Sequence, residues 1–220
     1  ESQKLADGVW LLGGGSHNSL AVEFRDFVCV VEAPLNEARS LAVIAEVNKL
    51  VPNKPIRYVV NTHHHFDHSG GLRTYLAQGA TIVTHQGNLN FYRHVMFVPG
   101  GWTLQPDKLA TFYPMYTLAR NLPLEPVNQK YVLSDGVRTM DIYPLQGSIH
   151  NQNMLIAYLP KEKILVNADM YSPERPPQQN PNMLTLYQNM QRLKLDVVQH
   201  VPIHGRAGTN DELLKIVAKN

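Results

Sequence analysis

The chain has one cysteine, no long hydrophobic run and almost no excess of charge. Cys29 alone excludes an intrachain disulfide, and its place in Phe27-Val28-Cys29-Val30-Val31 predicts a buried strand residue. The longer apolar stretches, Val28 to Val31 and Met154 to Leu159, are strand-sized and far below a membrane span, so no membrane partner is expected. Twenty basic against 18 acidic residues leave a net charge of +2, which gives no basis for a nucleic-acid partner. The chain begins at Glu1 with neither a methionine nor a signal-type segment. A processed secreted or periplasmic protein fits that start, and so does a cytoplasmic fragment of something longer.

What is present is an ordinary globular composition, 44% hydrophobic and 17% charged, over 220 residues. That length supports a large core, and residues 1–220 are read as a single domain. Gly8 to Leu12, Ser19 to Phe24, Phe27 to Glu32 and Ile56 to Asn61 read as strands. Asn36 to Leu50 has helical spacing of Ala38, Leu41, Ala42, Ala45 and Leu50, with Pro52 beyond its end. Gly70 to Gln78 suits a helix with Gly79 as its cap, and Ala80 to Thr84 a strand. Asn88 to Phe97 suits a further helix, and the prolines from Pro99 to Pro126 predict an irregular stretch with short helices. Strands return at Tyr131 to Leu133, Arg138 to Pro144, Met154 to Leu159, Ile164 to Asn167 and Val197 to Val201. Helices are expected at Thr185 to Leu195 and Asp211 to Ala218. The prolines of 172–181 exclude a regular element there. Strands alternating with helices, many of them apolar on both faces, predict an α/β protein.

The richest segment is Thr62-His63-His64-His65-Phe66-Asp67-His68-Ser69-Gly70-Gly71, with four imidazoles and a carboxylate in six positions at a strand end. Imidazole is the commonest side-chain metal ligand. His63 and His65, two positions apart on extended backbone, leave on the same side and can share one ion, while His64 points away. Asp67 and His68 follow at the turn and can serve a second ion beside it. Zinc accepts imidazole nitrogen at about 2.0–2.1 Å and carboxylate oxygen at similar range.

His63-x-His65-x-Asp67-His68 resembles the metal-binding motif of the metallo-β-lactamase superfamily. The resemblance implies three further ligands in chain order. Candidates stand at His150 in Gln146-Gly147-Ser148-Ile149-His150-Asn151, at Asp169 closing Ile164-Leu165-Val166-Asn167-Ala168-Asp169, and at His204 in Pro202-Ile203-His204-Gly205. It implies a four-layer αββα sandwich with the site at one edge, between the sheets. His63, His65 and His150 would hold one ion, Asp67, His68 and His204 a second, and Asp169 would bridge them. The ions would be two Zn2+, with iron or manganese as alternatives.

The implied activity is hydrolysis of a small ester, thioester, lactone or amide by a hydroxide shared between the ions. Asp67 would orient the nucleophile and handle its proton. Tyr171, two residues after Asp169, is a candidate phenol donor to the tetrahedral intermediate; a core or rim tyrosine is the other reading. His17, in the early loop Gly13 to Asn18, is a candidate substrate contact, and His200 is either packed or behind a ligand. The 13–18 loop and the 171–181 tract are expected to set substrate range.

A bridging aspartate resembles glyoxalase-type thioesterases and lactonases, because the antibiotic-destroying branches usually carry cysteine or serine at that position. Ser148-Ile149 between Gly147 and His150, Asn151 after it, and the missing glycine before Asp169 depart from the best-known members. No inserted domain of the kind found in the family's nucleases is visible, and His65 is not the glutamate of the flavin-linked di-iron members. The alternatives are a β-lactamase, or an inert metal-binding protein of the same fold. Little chain precedes Asp7-Gly8-Val9-Trp10, which predicts a missing edge strand and an exposed edge favouring a homodimer.

Overall fold

Val28, Cys29, Val30 and Val31 alternate across a strand, and both faces of that strand are covered. Cys29 and Val31 point into one core, Val28 and Val30 into another. The structure is a computed structural model that describes residues 1–96, 106–112, 122–174 and 178–218. Its first sheet has seven strands: β1 (Ser2–Ala6), β2 (Val9–Leu12), β3 (Ser19–Glu23), β4 (Val28–Val31), β5 (Ile56–Val60), β6 (Thr81–His85) and β7 (Leu124–Val127), adjacent in that order. β1 to β4 form an antiparallel meander, and β4 to β7 run parallel.

Parallel neighbours require crossovers. They are α1 (Glu37–Leu50), then α2 (Phe66–Ser69) with α3 (Leu72–Leu76), then α4 (Leu89–Val95) with α5 (Lys108–Phe112). Asn36 caps α1 by accepting from the Arg39 amide. Val43, Ile44 and Val47 of α1, Leu72 and Leu76 of α3 and Tyr92 of α4 pack on Val28, Val30, Val59 and Ile82.

The second sheet comprises β8 (Tyr131–Ser134), β9 (Thr139–Pro144), β10 (Leu155–Leu159), β11 (Ile164–Asn167), β12 (Gln199–Pro202) and β13 (Gly208–Thr209), in the order β13-β12-β11-β10-β9-β8. Helix α6 (Pro181–Leu193) crosses between the parallel β11 and β12, and α7 (Asn210–Val217) follows β13. Val9, Leu20, Val31 and Val60 meet Ile142, Ile156 and Val166 in a core that extends to Met183, Leu186 and Leu213 of the last helices. The result is the αββα sandwich. Among the described residues no helix is long and apolar enough to cross a membrane.

Several elements differ from the sequence reading. The edge strand expected to be missing is supplied by Ser2–Ala6, which pairs antiparallel with β2. Leu124–Val127 is a strand despite Pro126, because it lies at the sheet edge where one missing donor is tolerated. Helix α6 starts at Pro181 because proline suits the first helical position, behind the Asn180 cap. The helix expected over Gly70 to Gln78 is the shorter α3, Leu72–Leu76, and Gly70-Gly71 separate it from α2, a turn of helix that was not expected. A Cβ on Gly70 would meet the Leu35 carbonyl oxygen at 2.1 Å, and one on Gly71 the Ser40 hydroxyl at 2.0 Å, so this turn lies directly on the start of α1. The irregular stretch expected between Pro99 and Pro126 falls partly outside the described residues.

His200 is fully buried in β12 with Nε2 3.0 Å from Asn210 Oδ1. Burial pushes its pKa down to about 4, against the raising effect of that hydrogen bond. The unfolded chain takes this proton near pH 6.5. The contribution of the neutral ring to stability is therefore complete above pH 6.5 and is lost as pH falls from there toward 4. Urea unfolding of chelator-treated protein should show the parent losing roughly 2 kcal/mol more than His200→Gln between pH 7.5 and 5.0. Equal losses would show that the fold does not exclude the proton.

Candidate metal centre

β5 delivers Asn61-Thr62 to the sheet edge, and the chain then turns through His63, His64 and His65 into the single turn of α2, which carries Asp67 and His68. His63 and His68 are fully buried. The expected alternation holds: the His63 and His65 rings lie 4.5 Å apart, while His64 turns to Asn88 Oδ1 at 3.2 Å and lies tilted against Phe91, ring centroids 4.9 Å apart. His150 joins His63 and His65, with ring centroids 5.2 and 4.8 Å away. One donor atom from each of these three lies within 4.8 Å of the others.

A second group forms beside it from His17, Asp67, His68 and His204, again with donor atoms within 4.8 Å of one another. His68 Nε2 is 3.3 Å from His204 Nε2 and 3.4 Å from Asp67 Oδ2, and His17 Nε2 is 3.3 Å from the same Oδ2. Asp169 stands between the groups. Its Oδ2 lies 3.5 Å from His63 Nε2, 3.3 Å from His150 Nε2 and 3.0 Å from His68 Nε2, and its Oδ1 lies 3.3 Å from His204 Nε2. A left-handed backbone at Asp169, φ +61°, aims the carboxylate there after β11 ends. Aspartate is one of the few residues that visit this region readily.

Two residues went unread or underread in the sequence. Glu32 closes β4 at φ +77°, fully buried. Its Oε1 accepts from Asn61 Nδ2 at 3.0 Å and the Thr62 amide at 3.1 Å, its Oε2 from Thr62 Oγ1 at 2.5 Å and His68 Nδ1 at 2.9 Å. A carboxylate ending an all-apolar strand was the only signal available. His17, read as a substrate contact, is buried within the second group.

Three of the imidazoles share one arrangement. Nδ1 of His68 meets Glu32, Nδ1 of His63 meets Thr62 Oγ1 at 3.1 Å, and Nδ1 of His204 meets the Ser16 carbonyl at 3.1 Å. Each such contact places the proton on Nδ1 and leaves Nε2 facing inward, as outer partners do for metal-ligating histidines. Burial, reinforced by the charge of His68, pushes His63 down to about 2. Burial opposes the charged form of His68 too, but Asp169 and Glu32 outweigh it and raise His68 to about 10. Burial likewise works against the charge on Asp169, yet His204 and His68 hold its carboxyl far below the usual carboxylate range.

These residues fit divalent ions. His63 Nε2 and His150 Nε2 are buried with no hydrogen-bond partner. Donors bound to one ion at about 2.0–2.1 Å lie roughly 3–3.5 Å apart, which is the spacing found from Asp169 to its four histidines. Tyr171 is placed otherwise. It is buried in the core with its ring 5.2 Å from that of His200, and among the described residues no hydrogen bond or ring contact joins it to the histidine groups. A cleft of about 600 Å³ is lined by Ser2, Gly13, Gly14, Gly15, Glu174 and Arg206 among others, and no histidine or aspartate of the two groups lines it.

Two imidazole–carboxylate groups meeting at one aspartate, at the edge of an αββα sandwich, have the make-up of a binuclear metal-dependent hydrolase site. The chain belongs to the metallo-β-lactamase superfamily, whose family model matches residues 12–127. Among solved structures it is similar to a metallo-β-lactamase from Pontibacter korlensis, at 18% identity over 100% of this chain and 99% of that one, with a TM-score of 0.72. It is also similar to a metallo-β-lactamase from Hirschia baltica, at 16% identity over 99% and 96% of the two chains, TM-score 0.68. A third is FIM-1 from Pseudomonas aeruginosa in a mono-zinc form, at 18% identity over 99% and 93%, TM-score 0.68. At such identities the likeness is one of fold. The comparison with curated proteins gives no match.

Proposed function

We propose that residues 1–220 act as one domain that hydrolyses a small ester, thioester, lactone or amide with two divalent ions. The observation that carries this reading is Asp169, whose two oxygens face both groups of donors. His63, His65 and His150 would hold the first ion, Asp67, His68 and His204 the second, and Asp169 both. Imidazole and carboxylate donors suit zinc, with iron or manganese as alternatives. When bound, the ions would supply a water acidified toward neutrality and an electrophile for the scissile carbonyl.

The chain's own residues have separable tasks. Burial disfavours the charge on Asp67, but His68 and His17 outweigh it and hold its carboxyl below the ordinary range, so it is ionised at neutral pH. About half exposed, at 48%, it can accept a hydrogen bond from an attacking water and take its proton. Apolar side chains stand next to the proposed ligands: Phe66 follows His65, Ile149 precedes His150, and Phe91 lies tilted against His64, all exposed. They support a substrate with an apolar portion. The 13–18 loop carries His17 into the second group and the 171–181 tract follows Asp169, which supports a part for both in substrate choice. The aspartate at the bridging position favours thioester or lactone over a β-lactam.

The test is a panel of thioesters, lactones, aryl esters and a cephalosporin reporter, run on chelator-treated and zinc-reloaded protein. Zinc-dependent turnover of an acyl ester or lactone is expected, falling about 10²–10⁴-fold in Asp67→Asn. Preferred turnover of the cephalosporin would move the protein to the β-lactamase reading. Uptake of no metal would overturn the proposal.

A further inference from the structure

The early loop is fastened to the end of β12 and to α1. Asn18 donates its amide to the Ile203 carbonyl at 2.7 Å, and its side chain to the carbonyls of Pro202 at 3.1 Å and Gly205 at 2.6 Å. Arg39, reaching from α1, donates to the carbonyls of Leu12 and His17 at 2.8 and 3.2 Å. These bonds hold His17 against the strand end that presents His204, with the two rings 4.1 Å apart. His17 is 6% exposed and therefore largely withdrawn from solvent.

Its ring is set as the other inward-facing histidines are. Nδ1 lies 2.8 Å from Ser16 Oγ, and Nε2 points to the group, 3.3 Å from Asp67 Oδ2. Ser16 serves two rings at once, because its backbone carbonyl meets His204 Nδ1. An outer oxygen on Nδ1 and an inward Nε2 are the features that mark His63, His68 and His204.

We infer that His17 is a further protein ligand of the second ion. This rests on the two-ion reading above. With His17, that ion has three imidazoles and the carboxylates of Asp67 and Asp169, more donors than the four of a closed zinc site. Such a shell suits an ion of higher coordination number and leaves the second ion less room for water than the first.

The alternative role for His17 is a hydrogen bond that steadies Asp67, and three variants separate the two. His17→Gln can still donate to Asp67 but is a poor ligand. His17→Asp is a good ligand but would repel Asp67 in the absence of an ion. His17→Ala does neither. Chelator-treated parent and variants are titrated with zinc and with cobalt(II), reading the affinity of each equivalent and the intensity of the cobalt d–d bands.

For His17→Ala and His17→Gln the second equivalent should weaken beyond the roughly 10–100-fold cost of losing an outer partner, with the first little changed. The second-equivalent cobalt bands should strengthen as coordination number falls, and His17→Asp should restore both. The inference is overturned if Ala binds the second equivalent as the parent does, or if Gln matches the parent while Asp fails. A parent that takes up fewer than two equivalents defeats the two-ion reading and this one with it. Two equivalents in the parent and an indifferent Ala variant defeat only the role of His17. Should Ala fail to fold, Gln and Asp decide alone.

Discussion

Asp169→Ala is expected to release the second ion, weaken the first and abolish hydrolysis. The carboxylate lies 3.0–3.5 Å from four imidazole nitrogens drawn from both groups. A charge placed there offsets the repulsion between two cations, which no neutral side chain does. The loss of affinity for the second ion should exceed the roughly 10–100-fold attached to an outer partner. Because Asp169 sits at φ +61°, alanine adds backbone strain of its own, about 1 kcal/mol or more. Asp169→Asn is the matched control: asparagine accepts that conformation and keeps the shape while removing the charge. Asp169→Cys should keep one ion, since thiolate is a good zinc ligand, and still lose turnover. Metal titration of all three beside the parent decides it. Two ions bound at parental affinity in Asn and Ala would reduce Asp169 to a turn residue and remove the ground for preferring thioesters or lactones.

Glu32→Gln should be nearly as damaging, for a different reason. Every donor that reaches this buried carboxylate is an N–H or O–H: Asn61, the Thr62 amide and hydroxyl, and His68 Nδ1. An amide in its place presents two hydrogens of its own, so one side of the glutamine faces donors it cannot accept from. Breaking a buried charged contact of this kind costs about 3–5 kcal/mol. The second ion should weaken as well, by roughly 10–100-fold, because His68 loses the partner that orients it. Urea denaturation of the chelator-treated protein reads the first effect and metal titration the second. A variant as stable as the parent, with the same metal affinity, would show that Glu32 only fills space.

How much could be read from the sequence follows from what kind of signal each residue leaves. β4 and β5 were legible as short apolar runs, and α1 by its 3.6-residue spacing of apolar positions. β1 was not, since Ser-Gln-Lys-Leu-Ala lies at an edge and is mostly exposed. β7 was hidden by Pro126, and β13 by its length of two residues. In the site, seven residues at family spacing were brought together, because they sit on strand ends and the turns after them. His17 and Glu32 left no motif. His17 meets Asp67 50 positions away and Glu32 meets Thr62 30 positions away, so only the folded chain juxtaposes them.

Ser16 touches His17 through its hydroxyl and His204 through its carbonyl, across 188 positions of sequence. During synthesis the three imidazoles of the first group have all emerged once residue 150 is free of the ribosome. Each group also needs one sheet closed on the other, because His63 and His65 follow β5 while His150 precedes β10, and His17 precedes β3 while His204 follows β12. Of the residues proposed to hold the two ions, His204 is the last to be made. A chain stalled or clipped before His204 would carry every histidine of the first group and lack a donor of the second.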